Sequence, residues 1–158
     1  MADEGESCSG LFTHASPISL TEVKGVRVGR ENIFKPWGFW FSKNSEWLDW
    51  CDESGYSPHK YRYLYEIEIE FSRILVISSF DDLVKLSEDF KSDSFIDWNS
   101  VREKFDGVYF DNFQVIKNKI FMNHILFSKF AWYLSLDCSS GCLFNGNPVR
   151  NINLVKEF

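Results

Sequence analysis

Residues that carry special local chemistry are scarce in this chain, which has 4 prolines, 3 histidines, 4 cysteines and 2 methionines among 158 residues. A domain of that length buries enough surface to fold without disulfides. Cys138 and Cys142, with three residues between them, have the gap of a metal pair, but no second pair stands beside them to complete a zinc site. The thiols are therefore read as structural or incidental, and no metal is expected. Apolar runs stop short of the roughly 20 residues a membrane helix needs. The first residues, Met-Ala-Asp-Glu-Gly-Glu, are acidic where a secretory signal is basic and then apolar. A soluble, intracellular, cytoplasmic protein without a membrane partner is expected. Basic blocks are missing too: 17 Lys and Arg stand against 23 Asp and Glu, for a net charge of −6, which disfavours nucleic acid as a partner. Three catalytic motifs are also absent. Gly25-Val-Arg-Val-Gly-Arg lacks the spacing and the Lys-Ser/Thr of a phosphate loop, and there is no His-Glu-x-x-His helix and no Gly-x-Ser-x-Gly turn.

Aromatic residues are abundant, at 18% of the chain with 16 Phe. Four of the 6 Trp fall between Lys35 and Trp50, in Lys-Pro-Trp-Gly-Phe-Trp-Phe-Ser-Lys-Asn-Ser-Glu-Trp-Leu-Asp-Trp. Indoles bury a large area while keeping a polar handle, so such a cluster beside small residues suits a planar ligand such as a nicotinamide or a nucleobase. A Trp-rich corner of the core has the same composition.

Periodicity predicts an α+β fold of mainly antiparallel split β-sheets with a few short helices. Residues 1–9 are expected to be a disordered tail and residues 10–158 a single globular domain. A strand is expected from Gly10 to Ser16, a loop or short strand from Leu20 to Val28, and extended chain from Trp37 to Ser42. Ser45 is expected to cap a short helix from Glu46 to about Asp52 through its hydroxyl. Gly55, Ser57 and Pro58 mark a turn. Tyr61 to Phe71 alternates apolar with charged residues, as a half-buried strand does. Its Glu66, Glu68 and Glu70 form a wet row that discourages edge pairing. Arg73-Ile-Leu-Val-Ile-Ser reads as a buried strand, Ser79 with Asp82 as a capping box, and Asp97 as the cap of a helix ending near Phe105. Asp106-Gly107 is a turn pair before a strand at Val108-Tyr-Phe. Further strands are expected at Phe130–Leu136 and at Cys142-Leu-Phe. Asn112 to Lys129 reads as a helix or a long ordered loop, and Asp137 as a carboxylate bonded to backbone amides of the Cys-Ser-Ser-Gly-Cys turn.

His14 followed by Ser16, then Gly38-Phe-Trp-Phe-Ser42 with Trp47 beyond, and last Phe105-Asp-Gly-Val-Tyr-Phe and Trp132-Tyr-Leu-Ser-Leu-Asp-Cys, resemble the order of motifs in ADP-ribosyltransferases. Poly-ADP-ribose polymerases and related toxins carry an early His, a Gly-Ile-Tyr-Phe-Ala-like strand and a final strand bearing Glu. The resemblance spans roughly residues 10 to 145 and implies NAD as substrate, with transfer of ADP-ribose to an unknown acceptor such as a protein. It implies that His14 holds the ribose, Ser16 contacts the ribose or the carboxamide, and Trp40 stacks on nicotinamide. Gly38, Phe41 and Trp47 would wall the pocket, with Ser42 a small polar contact. Such chemistry passes through an oxocarbenium-like transition state and needs a nearby carboxylate. The chain departs from the pattern there, with Tyr109 where Glu follows Gly-Val. Tyr109 and Asp111 share a strand face, so the expected catalytic set is His14, Trp40 and Asp111.

Two other functions fit the same residues. One is a catalytically inactive module that binds a nucleotide or a peptide through the aromatic strand. The other is a viral or effector interaction protein, whose sign would be an exposed apolar patch over Asn112 to Lys129. Cysteine nucleophile chemistry would require a His brought beside Cys51, Cys138 or Cys142. His59 and His124 have no partner at a useful spacing.

Overall fold

The computed structural model describes residues 10–23, 34–56, 61–93 and 95–158. The expected tail over residues 1–9, the part of the Leu20–Val28 segment beyond residue 23, and Ser57, Pro58 and His59 lie outside them. In chain order the elements are β1 (Phe12–Ser16), β2 (Phe39–Lys43), α1 (Glu46–Ser54), β3 (Tyr63–Ile69) and β4 (Ile74–Ile77). There follow α2 (Phe80–Asp89), β5 (Lys91–Ser92), β6 (Phe95–Ile96), α3 (Trp98–Lys104) and β7 (Gly107–Phe110). α4 (Phe113–Phe121), α5 (His124–Lys129), β8 (Ser140–Leu143) and β9 (Val149–Glu157) complete the fold.

The class is α+β with a mainly antiparallel, mixed sheet. Seven strands run in the order β4-β7-β8-β2-β1-β3-β9, and only β4 and β7 are parallel. The expected split into separate sheets is replaced by this one sheet plus a two-residue ladder of β5 on β6. The parallel pair needs a crossover, and the chain between β4 and β7 supplies it with α2 and α3.

Local signals set most element starts. Ser79 Oγ accepts from Asp82 N–H at 3.1 Å while Asp82 Oδ2 accepts from Ser79 N–H at 3.0 Å, so the capping box opens α2. Asp97 accepts from Ser100 N–H at 3.2 Å and opens α3. Ser45 precedes α1 but does not cap it through its hydroxyl, which donates to Asp49 Oδ2 at 2.8 Å instead. Gly55 ends α1 at φ 69°, where a side chain would cost energy.

One segment left open is decided, and two differ from the sequence expectation. Asn112 to Lys129 forms two helices, α4 and α5. Phe130–Leu136 is a tight turn rather than a strand: Tyr133 N–H donates to Phe130 C=O and Leu136 N–H to Tyr133 C=O, both at 3.0 Å. A short apolar run fits either shape, and here Phe130, Trp132 and Tyr133 all point into core. Last, β9 pairs along the whole of β3, so the Glu66–Glu70 row lies on an inner strand and β9 forms the edge.

Two apolar layers lie on the two faces of the sheet. On one face Val108, Phe110 and Cys142 meet Leu83 and Leu86 of α2, Val101 of α3, and Ile116 and Ile120 of α4. On the other, Phe12, Phe41, Tyr65, Tyr109 and Leu143 pack together. Phe41 touches Phe12 edge-on with centroids 5.4 Å apart and lies against Tyr109 at 5.8 Å.

Gly141 makes this central packing possible, because a Cβ there would run into the Phe41 ring and sit 2.8 Å from Val108 C=O. Gly141→Ala is expected to lower stability by about 1–3 kcal/mol through overpacking. Urea denaturation measures it, and an unchanged midpoint would refute this account of the centre.

Candidate functional site

Near β1, β2 and β3 the helix-bearing face of the sheet is roofed by α1 and the 136–138 loop, and a cavity of about 500 Å³ lies between them. Its floor comes from Thr13, Ala15, Trp40, Ser42 and Leu64, which share that face by strand register. The walls include Trp47 and Leu48 of α1, Tyr61 and Leu136. Trp47 and Tyr61 stand perpendicular, with centroids 5.0 Å apart and planes at 86°, as two adjoining sides of a box. The polar groups are few. Thr13 Oγ1 donates to Asn44 C=O at 2.8 Å, so the 3.1 Å contact between Thr13 and Ser42 uses the Ser42 proton. Ser42 is left with acceptor capacity.

Asp137 brings a carboxylate to the cavity wall, and Lys35 lies close enough to act on it electrostatically. Burial pushes the Asp137 carboxyl above its ordinary value, and the Lys35 and Lys117 ammoniums offset only part of this. The turn amide that Asp137 was expected to bond is taken by another residue, because Ser139 N–H donates to Glu46 Oε2 at 2.8 Å. Ser139 Oγ in turn accepts from Phe113 N–H at 3.2 Å, so this turn ties α1 to the start of α4.

The residues implicated by the sequence do not converge. Trp40, Ser42 and Trp47 line the cavity, and Gly38 borders it. A Cβ on Gly38 would lie 2.5 Å from Cys142 Sγ and against Leu143 C=O, so its bareness serves the approach of β2 to β8. His14 borders the cavity through its strand, but register pairs it with Tyr65, which places its ring on the opposite face from Trp40. There the imidazole stacks on Phe39 at 3.8 Å and Nδ1 donates to the Trp40 carbonyl at 2.6 Å. Phe41 also points to that far face. Ser16 closes a local turn, donating to Ile18 C=O at 2.7 Å, and does not line the cavity. Tyr109 is buried at the sheet centre.

Asp111 belongs to a second, polar hollow beside Glu46, Asp49 and Trp50. Its Oδ1 is 2.9 Å from Lys43 Nζ and accepts from Tyr109 Oη at 3.1 Å and Asn112 N–H at 2.9 Å. Burial raises the carboxyl, but these donors outweigh it and hold it below the usual carboxylate range. The catalytic set of His14, Trp40 and Asp111 is thus spread over two faces and two hollows. The Trp-rich stretch divides likewise, since Trp37 is exposed and Trp50 faces the polar hollow.

The lining residues that the sequence did not single out as a site include Thr13, Ala15, Lys35, Tyr61, Leu64 and Asp137. Lys35 lies in the Trp-rich stretch, Thr13 and Ala15 flank His14, and Asp137 lies in the Trp132-Tyr-Leu-Ser-Leu-Asp-Cys motif, whereas Tyr61 and Leu64 had no such signal. Burial, with Glu46 and Asp137 nearby, pushes the Cys138 thiol up to about 12, which disfavours the nucleophilic thiolate. Burial also raises Cys51 and Cys142. Among the described residues no three His, Cys, Asp or Glu side chains gather as metal ligands would. No helix among them is long and apolar enough to cross a membrane. Comparisons of the chain with known protein families, with curated proteins and with solved structures find no match.

Burial holds the His14 imidazole below its ordinary value of 6.5, with the Trp40 carbonyl offsetting part of this. The unfolded chain therefore binds a proton that the folded chain resists, so stability present above 6.5 falls as the pH drops through that value. Wild-type protein is expected to lose stability between about pH 7 and pH 5, and His14→Gln to lose less over that interval. Denaturation at both pH values measures this, and parallel curves for the two proteins would refute the assignment.

Proposed function

We propose that this chain is a binding module that takes a flat heteroaromatic ring, of the nicotinamide or nucleobase kind, into the cavity beneath α1. The observation that carries this reading is the box made by Trp40, Trp47 and Tyr61 around an otherwise apolar space of about 500 Å³. That volume is in the range of small-ligand pockets. Ser42, left as an acceptor, suits an amide or amino N–H at the ring's edge. Asp137 and Lys35 offer one charge of each sign for the remainder of the ligand.

NAD is the natural first ligand to test, because its nicotinamide is a planar ring with an amide. ADP-ribosyl transfer, which the motif order implies, finds less support than binding. A carboxylate must reach the ribose, and Asp111 is held by Lys43 in the other hollow. His14 turns its ring away from Trp40.

Calorimetry with nicotinamide, NAD and adenosine tests the reading, together with an assay for nicotinamide release. Saturable binding of at least one ligand, without release, is expected. Trp47→Ala should weaken it by roughly 10- to 100-fold, since a stacked ring is worth about 1–3 kcal/mol. Trp47 is the better position to vary because Trp40 also packs against the core. Absence of saturable binding for all three would sink the proposal. Nicotinamide release that disappears in Asp137→Asn would replace it with the transferase.

A further inference from the structure

The turn between α4 and α5 carries an unusual surface. Met122 is 88% exposed, Ile125 67%, Phe121 53% and Phe127 45%, and no residue of α5 is buried. Phe121 and Phe127 touch, with ring centroids 5.5 Å apart, so these side chains form one patch. α4 turns Phe113, Ile116 and Ile120 inward, which anchors the base of the patch in the core. Three lysines accompany it, Lys117, Lys119 and Lys129, and the chain has no acidic residue from 112 to 136. In a protein of net charge −6 that stretch is a local reversal of sign. The ammoniums lie over rings at its base: Lys117 is 5.8 Å from the Phe121 centroid and Lys119 is 4.8 Å from that of Phe80.

We propose that the α4–α5 tip docks on a bilayer surface that carries anionic headgroups. Phe, Ile and Met would enter the boundary between headgroups and acyl chains while the lysines stay among the phosphates and carboxylates. Composition favours a bilayer over a protein partner. Protein interfaces enrich Phe and Met as bilayers accept them, so the charged residues decide: interfaces enrich Arg and deplete Lys, and this patch has three Lys and no Arg.

Sedimentation of the whole chain with phosphatidylcholine vesicles, with and without phosphatidylserine, tests this. Wild-type protein is expected to sediment with the anionic vesicles, less so as salt rises, and hardly with the neutral ones. Met122→Glu with Ile125→Glu should cut binding at least about tenfold. Lys117→Glu with Lys129→Glu should abolish the preference for phosphatidylserine. The four positions are exposed or at the surface, and equal thermal midpoints would confirm that the variants fold. The wild-type comparison decides the matter even if a variant does not fold. Failure to sediment with anionic vesicles, equal binding to both kinds, or binding unchanged in the Met122 and Ile125 variant would overturn the proposal. The first of these results leaves the patch to a protein partner.

Discussion

The Phe41 ring lies over Gly141 on the neighbouring strand, and Gly38 is set against Leu143 C=O two residues on. Together these contacts fix how closely β2 and β8 run, and with that the register of β1, β2, β7 and β8 at the centre of the sheet. Side chains alternate between faces with a period of two, so this register sorts every residue of the aromatic strand. Phe39 and Phe41 go to the layer built on Tyr65 and Tyr109, while Trp40 and Ser42 go to the side that bears helices. Spacing along the chain put His14 and Trp40 within reach of one another. Strand parity separates them, and all that joins them is the bond from imidazole to carbonyl.

A cavity remains on the helix side because the helices cover the sheet unevenly. α2, α3 and α4 pack over β4, β7 and β8, where Leu83, Val101 and Ile116 meet Phe110 and Cys142. Toward β1 and β3 the cover is the single helix α1, whose sole fully buried residue is Cys51. One nine-residue helix cannot fill the space over three strands, and the large rings of Trp40, Trp47 and Tyr61 bound it rather than close it. Protein interiors otherwise pack to crystal-like density, so an aromatic-walled gap of this size is an expense that ligand binding would explain.

Elements with a local cause were legible in the sequence. The Ser79–Asp82 box, the Asp97 cap and the alternation of Tyr61 to Phe71 are local signals, and they give the start of α2, the start of α3 and β3 over Tyr63–Ile69. Those decided at long range were not. β9 is a polar strand, Val-Arg-Asn-Ile-Asn-Leu-Val-Lys-Glu, with no clean alternation, and it exists because β3 offers it a partner. Phe130 to Leu136 has strand-like composition, yet burial of Phe130, Trp132 and Tyr133 bends it into a turn. The site follows the same division. Trp40, Ser42 and Trp47 were found because they cluster along the chain, whereas Tyr61 and Leu64 reach the cavity only through the fold.

The two carboxylates show how position separates function from structure in this molecule. Asp111 accepts three donors, from Lys43, Tyr109 and Asn112, and its charge is held in place by them. All three meet Oδ1, so Asp111 ties the junction of β2, β7 and α4 from the polar hollow, apart from the Trp40 and Trp47 cavity. Asp137 stands on the cavity wall with burial raising its carboxyl and with Lys35 and Lys117 acting only through their charge. Partial burial of a carboxylate carries a modest desolvation cost. A ligand that brought a donor or a positive charge to it would recover that cost on binding. For the proposed ring ligand, Asp137 would set selectivity while the indoles and Tyr61 would supply most of the attraction.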